Sequence, residues 1–268
     1  YYYIELPAIN IHSPGFWKFI IFVMLILTVE VWLMNHRKAA GGGRYRGNIS
    51  AKEFFSDFKT QAGSVLFKTA FVCTVILVVL YVAGNILSSP VINASKYQQL
   101  LKVETRNFTD DIKEVSYDKI PLLDKDSASI IGTRVMGTMV DMVSQYEVDD
   151  MYSQINYKEK PVRVTPLRYG NLIKWFTNHK NGIPAYIRID MTTQEAECVR
   201  LTEGIKYSKS DHFSRYIYRH LRFAYPTYIF DDINFEIDDN GTPYWVCPVK
   251  KYNIGLFGGQ TVGRVVLC

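Results

Sequence analysis

FWKFIIFVMLILTVEVWLM, residues 16–34, is the stretch on which the reading of the whole chain turns. At 1.5 Å of rise per residue, a helix of this length covers roughly 28 Å, close to the roughly 30 Å of a bilayer's hydrocarbon core. Trp17 and Trp32 stand near its ends, where indole rings favour the headgroup boundary. Its charges, Lys18 and Glu30, are close enough to the ends to snorkel outwards. TAFVCTVILVVLYVAGNIL, residues 69–87, is a second such stretch, with no charge at all. A secretory signal would need positive charge ahead of its apolar core, and residues 1–15 hold no Lys or Arg. Two transmembrane helices are therefore expected at 16–34 and 69–87, behind an N-terminal segment at 1–15.

The loop between them, residues 35–68, sets the expected orientation. Arg37, Lys38, Arg44, Arg46, Lys52, Lys59 and Lys68 stand against only Glu53 and Asp57. Short loops rich in Lys and Arg stay cytoplasmic, so the N-terminus and everything past residue 90 are expected on the extracytoplasmic side of the cell membrane. Trp17, Trp32, Arg37, Lys38, Arg44 and Arg46 are the candidate membrane-interface residues. Residues 38–47, KAAGGGRYRG, read as a flexible basic tether suited to anionic headgroups. They are not a phosphate-binding loop, because Asn48 and Ile49 occupy the places of its Lys and Ser/Thr. Ser50 and Glu53 fit a capping box, and the apolar spacing after them predicts an interfacial amphipathic helix. The net charge of +5 is concentrated in this loop, so the partner implied is the lipid bilayer and not nucleic acid.

Beyond Pro90 the sequence becomes charged and Tyr-rich, and residues 91–268 are expected to form an α+β domain, with 91–101 as a short linker and the domain's first turn. Residues 103–115 and 145–148 have strand character. DKDSASIIGTRVMGTMVDM, residues 124–142, reads as a helix that Gly132 and Gly137 weaken while permitting close packing. Residues 154–164 alternate as one strand. The chain opens on Tyr1 and closes on Cys268 inside an apolar run, which reads as an excerpt of a longer protein.

Two later stretches share a plan. A helix at 170–179 precedes strands 185–190 and 195–201 around a turn at 191–194. A helix at 214–223 precedes strands 233–237 and 244–249 around Asp238-Asp239-Asn240-Gly241, the strongest hairpin signal in the chain. A strand at 262–268 follows. Each unit is expected to be a helix laid over an antiparallel hairpin.

Such units, with a strand running into an Asp-x-x-Thr-Gly-Glu turn, resemble PepSY-like domains. Asp190-Met191-Thr192-Thr193-Gln194-Glu195 is similar to that turn, with Gln194 in the place of the Gly. Together with Pro121-Leu122-Leu123-Asp124 and Tyr244-Trp245-Val246, the region also resembles a largely uncharacterised group of bacterial two-span membrane proteins with a long extracytoplasmic part. The resemblance implies a cell-envelope protein that regulates or scaffolds partners outside the cell, and it brings no catalytic residue.

Chemistry-bearing motifs are sparse. His12, His36, His179, His212 and His220 show no HExxH spacing. Asp211-His212 is an adjacent pair, and neighbours in sequence usually point apart; His212 and His220, eight apart, read as a helix surface. Asp190, Asp231, Asp232, Asp238 and Asp239 do not fit a calcium loop and read as turn formers. No G-x-S-x-G elbow or C-x-x-C pair occurs. Cys73 falls in a span; Cys247 and Cys268 lie on strands that could be neighbours, leaving both a bridge and free thiols open, with Cys198 over. Arg215, Arg219 and Arg222, at i, i+4 and i+7, form the candidate interaction surface against the bland reading of a solvated helix face. No catalytic residue, cofactor or metal is expected. The function expected is a non-catalytic membrane protein whose extracytoplasmic region binds or regulates another envelope protein. The alternative is an accessory subunit of a membrane transport or secretion assembly.

Overall fold

The computed structural model describes residues 1–39, 65–112 and 114–268. Arg44, Arg46, the glycine tether and the amphipathic helix after Ser50 lie outside the described residues. The chain divides into two compact units, Tyr1–Leu101 with Tyr252–Thr261, and Lys102–Lys251 with Val262–Cys268.

The first unit holds a single turn α1 (Tyr2–Glu5), the long helices α2 (Pro14–Ala39) and α3 (Val65–Leu87), and α4 (Pro90–Gln98). Neither long helix gathers its apolar residues into one stripe: they are spread around the axis. Pro14–Asn35 and Val65–Leu87 are each long and apolar enough to cross a membrane. Arg37 and Lys38 fall in the last turn of α2. Where α2 and α3 pack, the buried hydroxyls of Thr28 and Thr74 lie 3.2 Å apart. Each is also within reach of the carbonyl four residues back, Met24 at 2.7 Å and Ala70 at 2.8 Å. Residues 91–101, expected as a short linker and the first turn of the outer domain, belong to the first unit and begin with helix α4. Pro90 supplies its first position, where the missing N–H costs nothing.

The second unit starts with an irregular arm. The strand expected at 103–115 is absent among the described residues, which hold one helical turn there, α5 (Phe108–Asp111). Asn107 Nδ2 donates to Asp110 at 3.1 Å, a local side-chain bond that competes with extended pairing. Val103, Phe108 and Val115 are exposed, so their alternation buries nothing. Helix α6 (Lys125–Thr138) follows. Asp124 Oδ1 caps it by accepting from Ser127 N at 2.7 Å, and it stops four residues short of the expected end.

A five-stranded antiparallel sheet comes next: β1 (Tyr146–Val148), β2 (Ser153–Tyr157), β3 (Lys160–Tyr169), β4 (Ile183–Asp190) and β5 (Ala196–Ile205). Its order is β1-β3-β4-β5, with β2 also pairing β3. The single strand expected at 154–164 is therefore a hairpin, turning at Lys158 (φ 48°) and Glu159 (φ 64°). Two left-handed residues in succession suit the strand twist, but this position is usually marked by Asn-Gly. A second sheet, β6-β7-β8, consists of β6 (Asn234–Ile237), β7 (Pro243–Ile254) and β8 (Gly258–Leu267). Helices α7 (Leu172–Asn178) and α8 (Ile217–Ala224) precede the β4–β5 and β6–β7 hairpins respectively.

The five-stranded sheet is the middle layer of this unit. Ile183, Ala185, Ile187 and Ile189 of β4 share one core with Ala128 and Met136 of α6 and Trp175 of α7. Tyr186, Val162 and Val164 share the other with Ile217, Leu221, Phe235, Trp245 and Cys247. A period of two thus serves two cores, which is why β4 is buried along both faces.

Candidate functional site

The turns that end β4 and β6 are built alike. Asp190 Oδ1 accepts from the backbone of Thr192 and Thr193 at 2.8 and 3.0 Å, and Asp238 Oδ1 from that of Asn240 and Thr242 at 2.9 and 2.8 Å. The backbone then passes through the left-handed region, at Gln194 (φ 61°) in one turn and Gly241 (φ 83°) in the other. Gln194 thus takes a conformation that glycine adopts without strain.

A cluster of polar and aromatic side chains lies around Trp175, on α7. Asn171 starts that helix by accepting from Lys174 N, which fixes the angle at which Trp175 enters the core. Trp175 Nε1 donates at 2.6 Å to Asp211 Oδ1, while Ser208 Oγ donates at 2.8 Å to Asp211 Oδ2. Asp211 is 4% exposed. Burial pushes its carboxyl above the usual aspartate range, against the bonds from Ser208 and Trp175 and the charges of Arg215 and His212. Aromatic rings close over the indole: His179 stacks at 4.4 Å, Phe176 and His212 meet it edge-on at 5.0 and 5.4 Å, and Phe213 lies at 5.6 Å. Asp211 and His212, although adjacent in sequence, therefore both face Trp175. Phe213 is held with φ 50°, a conformation that costs a non-glycine residue energy.

Above this post the surface is apolar. Leu172, Ile173, Phe176 and Phe213 are 48%, 72%, 54% and 53% exposed, and the Phe176 and Phe213 rings lie 6.3 Å apart. Arg215, in the 3-10 turn Phe213–Arg215 and outside α8, reaches the Lys180 carbonyl at 3.5 Å and so borders the patch.

The arginines proposed as one helix face have separate roles. Arg222 is buried and donates to the carbonyls of Tyr225, Pro226 and Tyr228, at 2.7 Å for the last, tying down the chain after α8. Arg219 donates to the Phe213 carbonyl and lies over the Tyr216 ring. His220 stacks on Tyr207 at 3.9 Å, burial depresses its pKa, and His212 lies outside the helix that carries it. Trp17 Nε1 bonds the Ile11 carbonyl at 2.7 Å, and Trp32 is half-buried on α2.

Cys247 and Cys268 are both free thiols. Cys268 exchanges two backbone hydrogen bonds with Trp245, so Cys247 is a diagonal neighbour of Cys268 and not its opposite. Diagonal positions are about 7 Å apart, beyond the roughly 4 Å between Cβ atoms that a disulfide needs. A cleft of about 710 Å³ sets Lys158, Lys160 and Arg188 against Asp190, Glu195 and Glu197. Three of these charges are engaged locally: Arg188 pairs with Glu197 and stacks 4.2 Å from the Tyr157 ring, and Asp190 holds its own turn. Among the described residues no group of His, Cys, Asp and Glu could hold a metal ion.

These features define a mixed helix-plus-antiparallel-sheet protein with two long apolar helices. No protein-family model, curated protein or solved structure matches the chain. The Trp175 cluster was missed by motif reading because its members come from residues 175–179 and 208–213. The only local signal for it was the exposed-pattern mismatch of LIKWF, residues 172–176, whose apolar residues exceed what one buried stripe accommodates.

Proposed function

We propose that this chain is a non-catalytic membrane protein of the bacterial cell envelope. In this reading α2 and α3 cross the bilayer, the basic loop is cytoplasmic, and the α+β unit binds another envelope protein on the outside. The continuous exposed apolar surface of the two helices, including Phe22, Leu25, Ile26, Val72, Ile76 and Val79, supports their placement in lipid. The recurring helix–hairpin order and the matched Asp190 and Asp238 turns support the PepSY-like resemblance.

The observation that carries the binding role is the exposed cap of Leu172, Ile173, Phe176 and Phe213 over the Trp175–Asp211 post. Aromatic and aliphatic side chains on a rigid support, bordered by Arg215, have the composition of a protein-binding hot spot. A photo-crosslinking residue at Ile173 or Phe213, in the full chain in native membranes, tests this. One discrete protein adduct is expected, lost when Phe176→Asp is added and unchanged by Lys206→Asp. Adducts unaffected by Phe176→Asp, or none, would remove the cap as the binding surface. Adducts arising only from positions on α2 or α3 would move the role to an accessory subunit of a membrane transport or secretion assembly.

A further inference from the structure

We propose that β8 is a self-association edge, pairing antiparallel with β8 of a second copy of this chain about a two-fold axis at Val265. The three-stranded sheet ends on β8. Cys268 gives both of its backbone groups to Trp245, so along β8 the groups of Val266 and Arg264 point the same way, into the sheet. Those of Leu267, Val265 and Gly263 point outward. The side chains alternate to match: Val266 packs on the core, while Val265 and Leu267 are 50% and 65% exposed.

Free edges are ordinarily blunted by charge, proline or brevity. The other sheet's edge strand β5 carries Glu197, Arg200 and Glu203, and Arg200 makes a two-fold contact with Asp141 at 2.7 and 3.0 Å. At the opposite edge of the smaller sheet, β6 is only four residues long. Strand β8 has neither protection. It contains no proline, and its one charge, Arg264, is turned to the Tyr228 hydroxyl at 2.7 Å.

The sequence of β8 is self-complementary about Val265. Val265 meets its own copy as a hydrogen-bonded pair, and Leu267 meets Gly263, which leaves it room. Arg264 meets Val266, so no like charges oppose each other. The pairing makes roughly six inter-chain hydrogen bonds and joins two three-stranded sheets into one. A second copy is the occupant that this symmetry favours over an unrelated strand.

The test uses the full chain in mild detergent, its mass followed by light scattering over about a hundredfold range of concentration. The wild type is expected to dimerise. Val265→Lys and Val265→Glu each place like charges opposite one another and weaken the dimer by about tenfold or more, whereas mixing the two variants restores it. Val265→Pro also weakens it, since that N–H serves only the partner, and leaves thermal unfolding unchanged at concentrations low enough for both chains to be monomeric. Amide exchange at Val265 and Leu267 is expected to slow in the dimer, with Cys268 protected throughout. A monomer at every concentration would overturn the proposal, as would a dimer indifferent to both charge variants. Protection of Val265 and Leu267 in a monomer would also overturn it, because another strand would then occupy the edge.

Discussion

Trp175 and Asp211, thirty-six positions apart, are joined by a 2.6 Å hydrogen bond from the indole to a buried carboxyl group. The bond fixes the segment before α8 onto α7 and sets the platform on which Phe176 and Phe213 are displayed. Breaking it by Trp175→Phe leaves one carboxylate oxygen buried without that partner. A loss of about 1–3 kcal/mol is expected in thermal unfolding of the detergent-solubilised chain.

The same carboxyl makes stability depend on pH. Burial raises its folded-state pKa above the unfolded value, so its contribution is fully present below the ordinary aspartate range and is lost as pH rises through the raised value. Asp211→Asn removes this decline. The stability of the variant relative to wild type should therefore improve as pH rises across that window. A difference that stays flat from acid to neutral pH would show that Asp211 does not titrate there.

The two turn aspartates behave in the opposite sense. The bond from Thr242 N holds Asp238 below its usual range, and at Asp190 the bonds from Thr192 and Thr193 outweigh burial and do the same. Each adds stability above the unfolded aspartate value that disappears as pH falls through the lowered one. Gln194→Gly should stabilise the β4–β5 turn by about 0.5–1 kcal/mol, since glycine takes positive φ without strain. Chemical denaturation of the two chains side by side measures this, and a destabilised variant would contradict the φ of 61°.

Two glycines of α6 should respond oppositely to alanine. A methyl at Gly132 would overlap the Tyr152 hydroxyl, whereas none of the surroundings of Gly137 lie within 4 Å. Gly132→Ala is expected to cost about 1–3 kcal/mol by overpacking. Gly137→Ala should gain up to about 1 kcal/mol from helix propensity. Equal effects in thermal unfolding would mean that α6 does not pack on Tyr152 as described.

In the first unit, Ser88 Oγ accepts from the amides of Leu256 and Phe257 at 3.0 and 3.1 Å. The Tyr97 hydroxyl bonds the Ser88 carbonyl at 2.8 Å and accepts from Gly259 N at 3.1 Å. His12 Nδ1 meets the Leu256 carbonyl at 2.9 Å, and because a carbonyl only accepts, that nitrogen carries the proton. Phe257 sits between Trp17 and Tyr81, over Gly84, where a Cβ would come within 2.9 Å of its ring. Ser88→Ala should speed amide exchange at Leu256 and Phe257 by about ten- to a hundredfold, as expected for lost bonds worth 1.4 kcal/mol or more. Unchanged exchange would show that the hairpin tip is held without Ser88.

Much of the local structure was legible because its causes are local. Residues 16–34 and 69–87 specify apolar helices by composition alone, Asp124 announces a helix start, and Asp238 to Gly241 announce a hairpin. Errors fell where local signals were weak or conflicting. Lys158-Glu159 turns the chain without a turn-forming residue, so one strand was expected where two exist. Residues 103–115 alternate suitably but have no neighbouring strand, and alternation lowers the free energy only when a partner and a core receive it.

The sequence by itself determined two membrane-length apolar helices, the order of helices and hairpins in the second unit, and the aspartates that close its turns. These follow from periodicity and from bonds between residues a few positions apart. Only the tertiary structure decided that Arg222 is a buried tie and no longer a surface charge, that Asp211 and His212 both turn towards Trp175, and that Ser88 grips a hairpin tip 168 positions away. Such pairings depend on which surfaces meet once the layers pack, and desolvation at those surfaces, unlike propensity, is a property of no short segment of chain.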